Sequence, residues 1–144
     1  MQKIFVLIIA LAIMPATVLA GNNADKAAIE AAVFDYFHGQ GEASEERLFR
    51  AFAANHATMV GVAKDKDGKE TLRSWKDMNE VLSNWAANEN PPGGARDGEI
   101  LDMHIVDGRI ATVLFRSTDR FYDALTLAKI DGEWKIVAKA FVLQ

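Results

Sequence analysis

The chain has 144 residues, with 16 Lys and Arg against 20 Asp and Glu, a formal net charge of −4, and no cysteine. Without cysteine, disulfide bonds, thiol nucleophiles and Cys-ligated metals are excluded, and stability must come from packing alone. The charges are mixed along the chain with no basic cluster, which makes nucleic acid and anionic membrane surfaces poor partners.

Residues 1–20 stand apart. Lys3 gives a short positive start, residues 4–13 are unbroken apolar chain, and Pro15 follows. Val18 and Ala20 fit the small-residue pattern read by signal peptidase, which predicts a cleaved signal peptide over residues 1–20 with the cut between Ala20 and Gly21. An uncleaved anchor is the alternative. A spanning helix needs ~20 apolar residues, and this stretch is shorter and carries Pro15. Residues 21–144 are then one secreted or periplasmic domain, free of the membrane after cleavage and large enough for a real core.

Asp25 is a fair N-cap for a first helix running to about residue 38, with Ile29, Val33 and Phe37 at four-residue spacing on one buried stripe. Gly39-Gln40-Gly41 reads as its end. Ser44 caps a second, shorter helix, with Glu45 and Glu46 in the first turn where the helix dipole favours negative charge. Leu48, Phe49 and Phe52 form its buried face, and Asn55 is a stop signal.

Residues 58–63 read as a strand, residues 64–69 as a polar turn, and residues 70–73 as a short return strand. Ser74 with Asp77 three residues on has the form of a capping box. The helix after it carries Met78, Val81, Leu82 and Trp85 at i, i+3, i+4, i+7. On this reading Trp75 and Trp85 both lie on the third helix, ten residues apart and on different faces, so helix geometry keeps them out of one pocket. Asn90-Pro91-Pro92-Gly93-Gly94 forms a loop. From Gly98 to Gln144 the chain reads as four strands, cut by Asp107-Gly108 and Asp131-Gly132. Asp-Gly between apolar runs is a strong hairpin signal, because a tight turn needs positive φ.

The predicted order is α-α-β-β-α-β-β-β-β, an α+β domain with three helices gathered on a curved, mostly antiparallel sheet. That order, with three stretches of sequence, resembles the NTF2-like superfamily, and within it the SnoaL-like and putative lumazine-binding proteins. The first stretch is Tyr36-Phe37-His38-Gly39, similar to the family's Tyr-x-x-Gly at the end of helix one. The second is Asn55-His56-Ala57 entering the first strand, where the family has His-Pro and this chain has Ala57. The third is the run from Phe121 to Val137, which resembles the family's closing F-x-D-x-L-x-L-x-K-I-D-G-x-W-K-I-V, with Ala124 where an aromatic is common. The resemblance spans residues 25–142. It implies a bent sheet wrapped around a helix, an open cavity, and frequent dimerisation through the sheet. It implies no single activity, since members include isomerases, dehydratases, cyclases, transport adaptors and binding proteins.

Three residues are candidates for chemistry. His56 sits where the second helix hands over to the first strand, and it serves either as a base or ligand donor or as a partner for a free helix-end carbonyl. Asp123 shares a strand face with Leu125, Leu127 and Lys129 by simple alternation. It is either a cavity acid with a raised pKa or an ion-pair partner of Arg120, Arg116 or Lys139 across the sheet. Tyr36 is a donor into the pocket or an amphipathic core residue with its hydroxyl at the rim. Asp102 and His104 alternate with Leu101, Met103 and Ile105 and mark either the outer face of their strand or a dimer contact. The three histidines, His38, His56 and His104, show no ligand spacing, so neither metal nor cofactor is expected. Tyr36, Phe37, Phe52, Trp75, Trp85 and Phe115 are the expected ligand-binding set, flat rings suited to a planar guest.

The resulting expectation is a secreted, homodimeric domain that binds a small apolar or aromatic ligand in its cavity. The rivals are an isomerase or dehydratase using Asp123 or His56 as base with Tyr36 as donor, and a protein-interaction module using the outer sheet face.

Overall fold

The computed structural model describes residues 16–93, 96–118 and 120–144, with side chains from Asn22 onward. The signal-peptide expectation rests mainly on residues 1–15, outside the described residues. The element order is α1 (Ala16–Glu42), α2 (Glu45–Ala51), β1 (Thr58–Lys64), β2 (Glu70–Trp75), α3 (Met78–Ala86), β3 (Gly98–Val106), β4 (Ile110–Ser117), β5 (Phe121–Ile130) and β6 (Glu133–Leu143). This is the predicted α+β order. The six strands form one mixed sheet, β2-β1-β6-β5-β4-β3, in which β1 and β6 pair parallel and every other pair is antiparallel.

Both expected hairpin turns form. Asp107 and Gly108 have φ of 55° and 60°, and Asp131 and Gly132 have 50° and 86°. Two consecutive positive φ values match the right-handed twist of the flanking strands, which is why Asp-Gly is favoured there.

Three expectations about helix ends are corrected. Asp25 does not cap α1, which is already helical at Ala16. Its carboxylate instead accepts from Lys129 Nζ at 2.6 Å and Trp134 Nε1 at 2.9 Å, tying α1 to the β5–β6 hairpin. Gly39-Gln40-Gly41 does not end α1, which runs to Glu42 and closes through Ala43 at φ 52° with Ser44 N–H donating to the Gly39 carbonyl at 2.9 Å. That is a Schellman closure with alanine in the left-handed position. Gly39 is there for close approach: a Cβ would meet Arg47 Cβ and Leu48 Cγ at 3.0 Å. Ser74 does not cap α3. It belongs to β2, and Asp77 is the cap, accepting from Glu80 N–H at 3.2 Å. The predicted cap of α2 does form, with Ser44 accepting from Arg47 N–H at 3.4 Å.

The core lies between the helices and one face of the sheet. α1 contributes Ile29, Val33, Tyr36 and Phe37, and the sheet contributes Val113, Phe115, Leu125, Leu127 and Ile136, all at most 1–2% exposed. α1 packs on both β6 and β3, so it crosses the sheet rather than following one strand.

Two bulges set which side chains face inward. In β3 the register with β4 shifts between Ile100 and Asp102. Leu101 is thereby turned outward with Asp102, while Met103 and Ile105 face in, which corrects the simple alternation expected for Leu101. In β6 the register with β5 shifts between the Thr126–Ala138 and Leu127–Ile136 pairs, leaving Val137 as the extra residue. Before the bulge, Trp134 and Ile136 face in. After it, Lys139 and Phe141 do. One residue of slip exchanges the two faces of a strand.

Candidate functional site

A cavity of about 500 Å³ opens between α1, α3 and the helix-bearing face of the sheet. α1 supplies Tyr36 and Gln40, one turn apart on the same face. The end of β2 supplies Trp75, and α3 supplies Val81 and Trp85. Phe121 comes from β5, and Lys139 and Phe141 come from β6. Polar groups gather at the mouth, where Arg120, Lys76, Asp77 and Glu80 stand. The walls are therefore largely aromatic and the rim is charged.

Trp75 lies in β2 and not on α3, so the helical argument that separated it from Trp85 does not apply. Both indoles line the same cavity. Trp75 stands 5.9 Å from the Phe141 ring, centroid to centroid, and Trp85 stands 6.0 Å from the Tyr36 ring.

Two residues of the inner wall, Tyr36 and Lys139, meet on Asp123 behind it. Tyr36 Oη donates to Asp123 Oδ2 at 2.9 Å, and Lys139 Nζ donates to Asp123 Oδ1. The side chains of Lys139 and Asp123 are 3% and 0% exposed. Lys139 Nζ also lies 5.1, 5.0 and 4.6 Å from the ring centroids of Tyr36, Phe121 and Phe141, so three aromatic faces surround the ammonium. Such faces attract a cation through the ring quadrupole. The pairing across the strands is diagonal: Lys139 lies opposite Leu125, two residues from Asp123, a span the long Lys stem covers.

Burial governs the titration of the cluster. It pushes the Asp123 carboxyl up, against the opposing pull of Lys139 and the Tyr36 hydroxyl. It pulls the Lys139 ammonium down, against Asp123. The Tyr36 phenol is held well above its ordinary value by burial and then by the neighbouring carboxylate, which keeps it a donor. Taking two charges from water is costly, and only mutual contact and further hydrogen bonds offset it. Here the Tyr36 hydroxyl supplies the further bond.

The expected site residues divide. Tyr36, Trp75 and Trp85 line the cavity. Phe37, Phe52 and Phe115 do not. Phe37 and Phe115 are buried ring to ring at 5.2 Å, and Phe52 packs edge-on behind Tyr36 at 5.6 Å. Asp123 touches Tyr36 but sits behind Lys139 rather than on the cavity lining. His56 is exposed beside a different depression, with Phe52, Asn55 and Lys135, which shares no lining residue with the cavity. Its own backbone N–H donates to the Ala53 carbonyl at 2.8 Å, closing the turn after α2. The expected set lacked Lys139, Phe121, Phe141 and Gln40. Alternation along β5 does place Phe121 beside Asp123, but only the bulge turns Lys139 and Phe141 inward. Gln40 lines the cavity, and its Oε1 is buried away from the open space with no hydrogen-bond partner among the described residues. Among the described residues, no group of three or more His, Asp or Glu is placed to hold a metal ion.

A family model described as putative lumazine-binding matches residues 24–142. Solved structures share the architecture. An NTF2-like protein of unknown function from Shewanella baltica OS155 is 25% identical, with a TM-score of 0.69 over 85% of this chain and 95% of that one. An NTF2-like protein of unknown function from Methylobacillus flagellatus KT is 25% identical, with a TM-score of 0.64 over 92% of this chain and 96% of that one. A ketosteroid isomerase-like protein from Erwinia carotovora atroseptica SCRI1043 is 15% identical, with a TM-score of 0.59 over 81% of this chain and 94% of that one, a likeness of fold alone. No curated protein matches the chain.

Proposed function

The chain belongs to the putative lumazine-binding family, whose fold here is NTF2-like, and from that membership we propose that its cavity binds one small planar aromatic molecule. The observation that carries this reading is the cavity of about 500 Å³ walled by Trp75, Trp85, Phe121 and Phe141. Ligand sites are commonly clefts of roughly 300–1,000 Å³ with apolar walls and a few convergent polar groups. The family name points to a bicyclic heteroaromatic ring, and flat stacking walls suit that class. Arg120 at the mouth favours a guest with negative charge toward solvent.

The isomerase or dehydratase reading receives less support. Tyr36 and Asp123 are in contact, as that mechanism needs, but Asp123 lies off the cavity lining with both oxygens engaged by Tyr36 and Lys139, and a general base must reach its substrate. His56 lies at a different depression, so it does not assist.

The proposal extends to assembly and location. The sheet face away from the helices exposes Leu101, Leu114, Tyr122 and Val142 around a nearly wholly apolar hollow, and we read it as the homodimer surface. Residues 1–20 act as a cleaved signal, so the domain works in the periplasm or outside the cell.

Native mass spectrometry of the purified protein tests the binding reading, together with quenching of tryptophan fluorescence by flat bicyclic probes. A bound small molecule, and quenching that weakens on Trp75→Ala, are expected. A protein that carries nothing and is not quenched by any flat probe overturns it. Light scattering of wild type and Leu114→Lys tests the dimer, and the amino-terminal mass of the exported protein tests the cut before Gly21.

A further inference from the structure

Lys139 is the one cation that faces the interior of the cavity rather than its rim, among the described residues. Its Nζ is surrounded by the rings of Tyr36, Phe121 and Phe141 and by the carboxyl of Asp123. A cation that serves only as a strut for Asp123 has no need to form cavity wall. From this placement we propose that Lys139 is a covalent amine site, which captures an aromatic aldehyde or ketone bound in the cavity as a protonated imine. The proposal rests on the binding reading above and adds the chemical class of the guest.

The chemistry balances with groups already in contact. The Lys139 ammonium gives one proton to Asp123 Oδ1, leaving a neutral amine whose lone pair attacks the carbonyl carbon. The carbonyl oxygen takes up the proton that the attacking nitrogen releases, and the neutral carbinolamine forms. Asp123 then gives its proton to the carbinolamine hydroxyl as the C–O bond breaks, water leaves, and the nitrogen keeps one hydrogen, a double bond to carbon and a positive charge beside the Asp123 carboxylate. The net change is one carbonyl consumed, one imine formed and one water released, with no oxidant or reductant.

Three features of the site favour these steps. Burial lowers the cost of the first proton transfer, because it disfavours both the ammonium and the carboxylate. The aromatic cage and Asp123 stabilise a positive charge at that nitrogen, and the protonated imine carries its charge at the same atom. Aromatic walls hold a flat carbonyl compound against the amine, which replaces a bimolecular encounter by an oriented one. Tyr36 acts as a positioning residue: its hydroxyl is donated to Asp123 and fixes the carboxyl that faces the amine. Lysines desolvated in apolar pockets form Schiff bases by this logic.

The test uses 2-naphthaldehyde as probe at pH 7, with cyanoborohydride to reduce any imine, followed by peptide mapping of the intact chain. The reduced adduct is expected at Lys139, exceeding that at the exposed Lys66 by about tenfold or more, because an exposed amine stays protonated at neutral pH. Prior filling with 2-methylnaphthalene, which has the same ring and no carbonyl, should suppress it. Lys139→Arg, which keeps the cation and cannot form an imine, should still be quenched by the probe and lose the adduct. Quenching by 2-naphthaldehyde without an adduct at Lys139, or an adduct spread evenly over surface lysines, overturns the covalent site and leaves the binding reading standing. Absence of both quenching and adduct overturns both. The peptide map of the wild type decides the matter even if the variant fails to fold.

Discussion

Replacing Lys139 by methionine isolates the buried pair. Methionine matches the volume of the Lys stem but removes the charge that faces Asp123, whose side chain is 0% exposed. Asp123 then keeps only the Tyr36 hydroxyl. Breaking a buried pair from one side costs about 3–5 kcal/mol, because the remaining charge is uncompensated. The carboxyl can limit that cost by taking a proton, since its pKa, already raised by burial, rises further once Lys139 is gone. The sign follows from linkage. A carboxyl whose folded pKa exceeds its unfolded one favours the folded state below the unfolded pKa, and that contribution is lost as pH rises through the folded pKa. The deficit of Lys139→Met is therefore largest at neutral pH and shrinks as pH falls toward the ordinary carboxylate value of 3.8. Removing both charges, in Asp123→Leu with Lys139→Met, should restore most of the stability, as replacing a buried pair by apolar residues is often neutral or better. The Tyr36 hydroxyl is then left without its acceptor, at about 1–3 kcal/mol, and adding Tyr36→Phe should recover that too. Urea unfolding followed by tryptophan fluorescence at pH 7 and pH 4.5 measures each value. A single variant within about 0.5 kcal/mol of wild type, or a triple variant no more stable than the single, refutes the account of a desolvated pair.

Three further outcomes follow from the packing. Gly98→Ala should destabilise by about 1–3 kcal/mol, since an added Cβ overlaps Phe115 and meets Phe37 Cε1 at 3.0 Å, both rings fully enclosed; thermal unfolding measures it. Gly61→Ala should instead act on binding, because its Cβ overlaps the Phe141 ring on the cavity wall and displaces it; a lowered probe affinity in fluorescence titration is expected, with a smaller loss of stability than for Gly98→Ala. Asp35 is held below its ordinary pKa, first by hydrogen bonding to Arg50, so its contribution is present above the unfolded pKa of 3.8 and is lost as pH falls through the folded one; Asp35→Asn should flatten the acid limb of the stability profile.

Much of the fold was legible in the chain because its signals are local. The two Asp-Gly pairs need positive φ and mark their hairpins whatever surrounds them. Ser44 and its two glutamates mark α2, and the Met78–Val81–Leu82–Trp85 spacing marks α3. The errors fell where a local signal had a tertiary use. Gly39 resembled a helix stop and is a contact point between α1 and α2. Asp25 resembled a cap and is a tether to the last hairpin. Ser74 resembled a cap one turn too early, which moved Trp75 from its strand onto a helix and removed it from the cavity on paper.

The site shows the same division. Tyr36 on the buried stripe of α1, and Asp123 inward on β5, follow from helical and strand periodicity, which depend on the backbone alone. That Lys139 is the partner of Asp123, rather than Arg120 or Arg116, depends on the extra residue at Val137. Without that bulge, alternation from Trp134 and Ile136 would turn Lys139 and Phe141 to the outer face. A one-residue slip is set by what the whole sheet can pair and bury, including the parallel contact of β1 with β6, and no stretch of β6 read alone carries it. The chain by itself thus determined the elements, the hairpins and two members of the cluster; the folded sheet determined the third and, with it, the charge that faces the cavity.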